Sequence, residues 1–117
     1  MTKVLVVSDS PWVTNDVFAS LGSSQWDIET TDDPKAAATI AYETAVDVVL
    51  VDLQIHSMGG MAVVRDITED FEGEKRPRLV MLLDRKADAF LARRAGADAF
   101  VVKPFQAHEL RLAMQTA

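Results

Sequence analysis

The 117-residue sequence contains no cysteine. A disulfide framework, a thiolate nucleophile and a cysteine-based metal site are therefore excluded. Apolar runs of the roughly 20 residues that a membrane helix needs are also missing. The short apolar run before Asp9 does not fit a cleaved signal peptide. We therefore expect a cytoplasmic protein without a membrane segment.

Basic clusters are scarce as well. The formal net charge is −6, and the densest basic segment, residues 74–78, is diluted by Glu74. An acidic surface repels phosphate backbones, so we expect no direct binding to nucleic acid. Any effect on nucleic acid would act through another protein chain.

The remaining composition is that of an ordinary globular protein, with 49% hydrophobic and 26% charged residues. A chain of this length fits one domain with a single core, which we expect to cover residues 1–117.

Short apolar runs alternate five times with segments of helical periodicity. Strands are predicted over residues 3–7, 26–31, 47–52, 78–83 and 99–102. Helices are predicted from Pro11, after Ser10 as cap, to Gly22, over 32–45 with Asp33 as cap, and over 60–71, 85–96 and 106–117. This alternation predicts an α/β domain with a doubly wound, five-stranded parallel sheet, flavodoxin-like (βα)5, in strand order 2-1-3-4-5.

Polar residues follow three of the predicted strands. Asp9 follows the first strand, Asp52 ends the third, and Lys103 follows the fifth. In the predicted order their carboxyl ends share one edge of the sheet. Two carboxylates suit Mg²⁺, and a lysine there can bind an added phosphoryl group.

Asp52 directly follows the apolar residues 48–51. It is either a nucleophile that forms an acyl phosphate, with Mg²⁺ at Asp9 and Asp52, or a structural acid that caps a helix. Lys103 taken alone fits a surface lysine with a buried stem. The joint occurrence of the three residues at strand ends favours a site.

Three segments carry a family resemblance: KVLVVSDSP (3–11), VVLVDLQIHSMGGM (48–61) and AGADAFVVKPF (95–105). They resemble the acidic, phosphoacceptor and lysine–proline segments of the response-regulator receiver domain, the fold of the chemotaxis response regulator. The third segment is the most specific match, and the resemblance covers essentially the whole chain.

The resemblance implies that Asp52 accepts a phosphoryl group from a histidine kinase or phosphotransfer protein and signals to a downstream protein target. Mg²⁺ would be held by Asp9, Asp52 and the backbone carbonyl of Gln54. Lys103, preceding a cis peptide bond, would contact the phosphoryl group. Phe100 would occupy an aromatic switch position, although it also fits a core residue of the fifth strand.

The sequence departs from the family pattern at four positions. Ser8 replaces one carboxylate of the acidic pair, which should weaken Mg²⁺ binding. Leu83 stands where a threonine or serine hydroxyl would bind the phosphoryl group. Asp84 replaces a small residue and places a like charge there, unless it turns outward to cap the next helix. His56 replaces a proline and is either solvated or able to sense pH or contact phosphate.

Two further functions compete with phosphosignalling. The losses at Ser8 and Leu83 favour a pseudo-receiver that acts as a phosphorylation-independent protein-interaction module. An aspartate-based phosphohydrolase is disfavoured, because Gln54 stands where such an enzyme has its second acid. We therefore expect no enzyme. The apolar residues of the last two helices and the fifth strand allow a homodimer face.

Overall fold

The computed structural model describes residues 2–22, 25–71 and 76–115. Five parallel strands form one sheet in the order β2-β1-β3-β4-β5, which confirms the predicted doubly wound architecture. The strands are β1 (Thr2–Val7), β2 (Trp26–Thr31), β3 (Val48–Asp52), β4 (Arg78–Leu83) and β5 (Ala99–Val102). The helices are α1 (Pro11–Leu21), α2 (Ala37–Glu43), α3 (Gly60–Asp70), α4 (Ala89–Ala95) and α5 (Ala107–Met114).

The predicted strands agree with the observed ones to within one residue at each end. The predicted starts of α2 and α4 are too early, because the first turn of each predicted helix is a short 3₁₀ turn, at Pro34–Ala36 and Lys86–Asp88. The Asp33 carboxylate accepts a hydrogen bond from the Lys35 N–H at 3.0 Å, so Asp33 caps a 3₁₀ turn and the α-helix starts later.

Two other predicted helix limits need correction. Ser10 precedes α1, but its side chain forms no capping hydrogen bond. The last helix ends at Met114, and residues 116–117 of its predicted range lie outside the described residues. The same holds for residues 72–75 of the charged segment before β4.

The core consists of two apolar layers, one on each face of the sheet. Successive side chains of β4 point alternately into the two layers. Leu79, Met81 and Leu83 pack with α2, α3 and α4, whereas Val80 and Leu82 pack with α1 and α5. Every residue of β3 is buried, which explains its continuous apolar run. Burying one valine or leucine side chain completely stabilises the folded state by roughly 1.5–3 kcal/mol relative to leaving it exposed to water.

The register of the strands sets the position of the site. Val7 pairs with Val51, Asp52 with Leu82, and β4 continues the alignment into β5. The residues that follow β1, β3, β4 and β5 therefore meet at one edge of the sheet.

No helix within the described ranges has both the length and the apolar character needed to cross a membrane.

Candidate functional site

Asp52 is the centre of a polar network at this edge. Its side chain is only 1% exposed. Oδ1 accepts hydrogen bonds from Lys103 Nζ at 2.7 Å and from the Gln54 N–H at 3.1 Å. Oδ2 accepts one from Ser8 Oγ at 2.8 Å. These donors offset the loss of hydration that burial imposes on a carboxylate.

Lys103 lies between two carboxylates. Its side chain is 8% exposed, and Nζ lies 3.2 Å from Asp84 Oδ1 in addition to its contact with Asp52. The interpretation of Lys103 as a surface lysine is therefore wrong. The Lys103–Pro104 peptide bond is cis, which confirms that expectation.

Ser8 is also buried, and its hydroxyl has two partners. Besides donating to Asp52, Oγ accepts a hydrogen bond from the Ser10 N–H at 3.1 Å. A hydroxyl therefore occupies the place beside Asp52 where the family pattern has a carboxylate, and it acts there as a donor to the acceptor aspartate.

Asp9 is held by the loop that follows β3. Its Oδ2 accepts a hydrogen bond from the His56 N–H at 2.9 Å and lies 3.2 Å from the His56 Nε2. The His56 side chain is 86% exposed, whereas that of Asp9 is 16% exposed. His56 is therefore a solvated residue that contacts Asp9, a contact that sequence reasoning missed.

The two residues at the end of β4 behave differently. Leu83 is fully buried in the layer formed with α3 and α4, so its position contributes no hydrogen-bond donor. Asp84 is 39% exposed and does not turn away to cap the following turn, because its carboxylate contacts Lys103. The alternative in which Asp84 points outward is therefore wrong.

Phe100 on β5 is half-buried and packs against the layer that contains Leu83. The guanidinium carbon of Arg93 lies 5.5 Å from its ring centroid, a cation–π contact at the surface. Both readings of Phe100 from the sequence, core residue and switch residue, are compatible with this position.

Asp9 and Asp52, which the sequence predicts as Mg²⁺ ligands, lie at the ends of neighbouring strands at this edge. A carboxylate offers about four lone-pair sites, and the protein donors to Asp52 occupy three of them. Asp9 Oδ1 accepts no hydrogen bond from the described residues. No group of three or more histidine, aspartate or glutamate side chains in that part of the chain is arranged to hold a metal. The ligands that the sequence predicts for Mg²⁺, Asp9, Asp52 and the Gln54 carbonyl, include one carboxylate fewer than the family pattern.

Asp98, in the third resemblance segment, has a structural role that sequence reasoning did not assign. Its carboxylate accepts hydrogen bonds from Arg76 at 2.8 and 3.0 Å and from the Leu79 N–H at 2.8 Å. Partial burial raises the pKa of Asp98, but these hydrogen bonds and the charges of Arg76 and Arg78 outweigh it and leave the pKa below its ordinary value.

Comparison with known proteins agrees with the fold. The model of the response regulator receiver domain family matches residues 4–115. The chemotaxis protein CheY4 of Vibrio cholerae is 25% identical, with a TM-score of 0.83 over 98% of this chain and 97% of CheY4. The receiver domain of NtrX from Brucella abortus is 25% identical, with a TM-score of 0.83 over 97% of this chain and 99% of that domain.

A third structure has the same fold with a metal. The receiver domain of the sensor histidine kinase PA1611 from Pseudomonas aeruginosa PAO1 is 21% identical, with a TM-score of 0.80 over 97% of this chain and 94% of that domain. A magnesium ion is coordinated in its active site cleft.

The sheet order defines a flavodoxin-like α/β domain, with acidic residues at the carboxyl ends of its strands. The family match over residues 4–115 is more specific: the chain belongs to the response regulator receiver domain family. It is a receiver domain of two-component signal transduction, and such domains act as signalling modules.

Proposed function

We propose that the chain accepts a phosphoryl group on Asp52 from a histidine kinase or phosphotransfer protein. The observation that carries this proposal is the contact of a buried carboxylate, 1% exposed, with a nearly buried ammonium group at 2.7 Å. This pair lies at the sheet edge where parallel α/β folds bind their ligands.

In the proposed reaction a carboxylate oxygen of Asp52 attacks the phosphorus of a phosphohistidine. The P–N bond breaks, an acyl phosphate forms, and the leaving imidazole takes up a proton. Lys103 would then donate hydrogen bonds to the phosphoryl oxygens. Leu83 adds no such bond, so this chain would hold its phosphoryl group with fewer contacts than the family pattern provides.

Asp9, Asp52 and the backbone carbonyl of Gln54 would hold Mg²⁺. When bound, the ion would neutralise charge on the phosphoryl oxygens. The magnesium in the cleft of the PA1611 receiver domain supports this assignment. Ser8 adds no charge, so we propose that binding is weaker than with two acidic residues.

The output surface would be formed by α4, β5 and α5. It carries three large apolar side chains that are more than half exposed, Phe90, Leu91 and Leu112. A downstream protein target would bind there, with Phe100 at the switch position, and a homodimer would use the same face. We place these contacts in the cytoplasm.

A specific observation supports a second function, that of a phosphorylation-independent interaction module. Both Asp52 oxygens already have protein donors, and Lys103 already contacts two carboxylates. The polar network is therefore satisfied without a ligand, which is what a pseudo-receiver that only binds proteins requires.

Intact-mass measurement separates the two functions. The wild-type chain is incubated with Mg²⁺ and a small-molecule phosphodonor, alongside Asp52→Asn. As a matched control, Asp16→Asn removes the same charge from an exposed position on α1. We expect the wild type and Asp16→Asn to gain the mass of one phosphoryl group and Asp52→Asn to gain none. No gain at saturating Mg²⁺ would contradict phosphoacceptance and favour the interaction module.

A further inference from the structure

The Lys103 ammonium group is shared between two carboxylates. Nζ lies 2.7 Å from Asp52 Oδ1 and 3.2 Å from Asp84 Oδ1. An ammonium group has three donors and no acceptor. One of these donors is used in the hydrogen bond to Asp52, and the ammonium charge is shared with Asp84 through an ion pair.

The backbone fixes this arrangement. Leu83 pairs with Val102 across β4 and β5, and the Lys103 N–H donates to the Leu83 carbonyl at 2.7 Å. The residues that follow, Asp84 and Lys103, are thereby brought side by side. Arg85 pairs instead with Asp88 at 3.2 Å. Lys103 is thus the only cation paired with Asp84 within the described residues.

We propose that the Asp84 carboxylate is an internal competitor of the phosphoryl group for Lys103. This inference rests on the function proposed above and adds a residue that limits it. A phosphoryl group carries a charge of about −1.5 to −2 near neutral pH. It needs the Lys103 ammonium charge that Asp84 partly neutralises, and it must approach a like charge on Asp84.

The competition has a direct consequence for signalling. A phosphoryl group at Asp52 must share the Lys103 ammonium charge with Asp84 or displace Asp84 from it, so Asp84 lowers both the rate of uptake and the affinity for oxyanions at this edge. A residue without charge at this position would leave more of the ammonium charge for the ligand and would remove the repulsion.

The first test compares rates of phosphoryl uptake, measured by intact mass with Mg²⁺ and a small-molecule phosphodonor. Asp84→Asn and Asp84→Ala should react about threefold to fivefold faster than the wild type, the effect of losing one partly exposed ion pair. Asp88→Asn is the matched control, because it removes the same charge from the same connection without touching Lys103. It should react at the wild-type rate.

The second test does not depend on phosphorylation. In an Asp52→Asn background, which lacks the nucleophile, sodium sulfate is titrated at constant ionic strength while the backbone amides of Gln54 and Lys103 are followed by NMR. Adding Asp84→Asn should tighten sulfate binding about threefold to fivefold. Adding Lys103→Met instead should abolish binding.

The outcomes distinguish this inference from the proposed function. Faster uptake together with tighter sulfate binding supports both. Tighter sulfate binding with no uptake in any variant supports the competition but overturns the phosphoacceptor role. Sulfate binding that does not respond to Asp84→Asn overturns the competition, whatever the rates. Equal rates in wild type and Asp84→Asn, in a chain that does take up phosphoryl groups, overturn it as well.

Discussion

The Asp52 carboxylate is buried, and hydrogen bonds from its neighbours offset the free-energy cost of removing it from water. One cation, one hydroxyl and one backbone amide donate to its two oxygens. Removing one partner of such a buried pair typically costs about 3–5 kcal/mol. The contact between Lys103 and Asp84 moderates that cost, because the lysine keeps a carboxylate partner when Asp52 is replaced.

Ser8 is the residue whose replacement should most change metal binding. Ser8→Asp restores the missing carboxylate but replaces a hydrogen-bond donor to Asp52 with a like charge. Without metal we expect the variant to lose about 1–3 kcal/mol of stability, the usual cost of an unsatisfied buried polar group. With Mg²⁺ we expect a larger rise in Tm than in the wild type, since the ion gains a ligand.

Thermal unfolding with and without Mg²⁺ measures both effects of Ser8→Asp. Ser8→Ala is the matched control, since it removes the hydroxyl without adding charge. It should lose stability and show no enhanced response to the ion. An equal Mg²⁺-dependent rise in Tm for Ser8→Asp and Ser8→Ala would contradict the expectation that a carboxylate at position 8 becomes a metal ligand.

At the scale of elements, β2, β4 and β5 were predicted to the residue because their apolar or alternating patterns reflect burial directly. The late starts of α2 and α4 were not predicted, because a 3₁₀ turn and the first turn of an α-helix have the same sequence signals. The edge that unites Asp9, Asp52 and Lys103 follows from strand order. The contact of His56 with Asp9 depends on loop geometry, and that of Asp84 with Lys103 depends on the register of β4 against β5. Residue periodicity encodes neither.

At Gly60 the start of α3 packs closely against the end of β3. A Cβ atom at this position would lie 2.6 Å from the Asp52 carbonyl oxygen and 2.8 Å from the Leu53 Cα. Both are backbone atoms, so the start of α3 would have to move. We expect Gly60→Ala to cost about 1–3 kcal/mol, the usual range for overpacking, in chemical denaturation.

The displacement in Gly60→Ala should reach the site, because Gln54 and Asp52 lie on the segment that α3 would push. We therefore expect NMR shifts at the Gln54 amide as well as lower stability. A variant of wild-type stability with an unshifted Gln54 amide would contradict the close packing of α3 on the end of β3.

At the scale of the whole molecule, the chain has a net charge of −6. Its acidic site lies at one edge of the sheet, and three of its exposed large apolar side chains, Phe90, Leu91 and Leu112, lie on α4 and α5. The Cα radius of gyration of 12.6 Å is close to the value of about 13 Å for a 100-residue domain. That residues 1–117 form one receiver domain stays a proposal, which the compact fold supports.

The ion pair of Arg76 with Asp98 connects the start of β4 to the segment before β5. Because hydrogen bonds and positive charge lower the pKa of Asp98 in the folded state, this carboxylate stabilises the fold above the unfolded pKa of about 3.9. As the pH falls through the lower folded value, the carboxylate is protonated and that contribution is lost. Global stability should therefore decrease with acid below about pH 4 in part through this one residue.

Asp98→Asn isolates this contribution. At neutral pH we expect the variant to be less stable by about 1 kcal/mol, a modest amount because the Asp98 side chain is 29% exposed. The difference from the wild type should shrink as the pH is lowered below about 4, since both chains then carry an uncharged group at this position. Urea denaturation at a series of pH values measures it, with Asp16→Asn as the control for loss of an unpaired charge. A difference that stays constant down to the acid transition would contradict a lowered pKa and would assign the loss to packing instead.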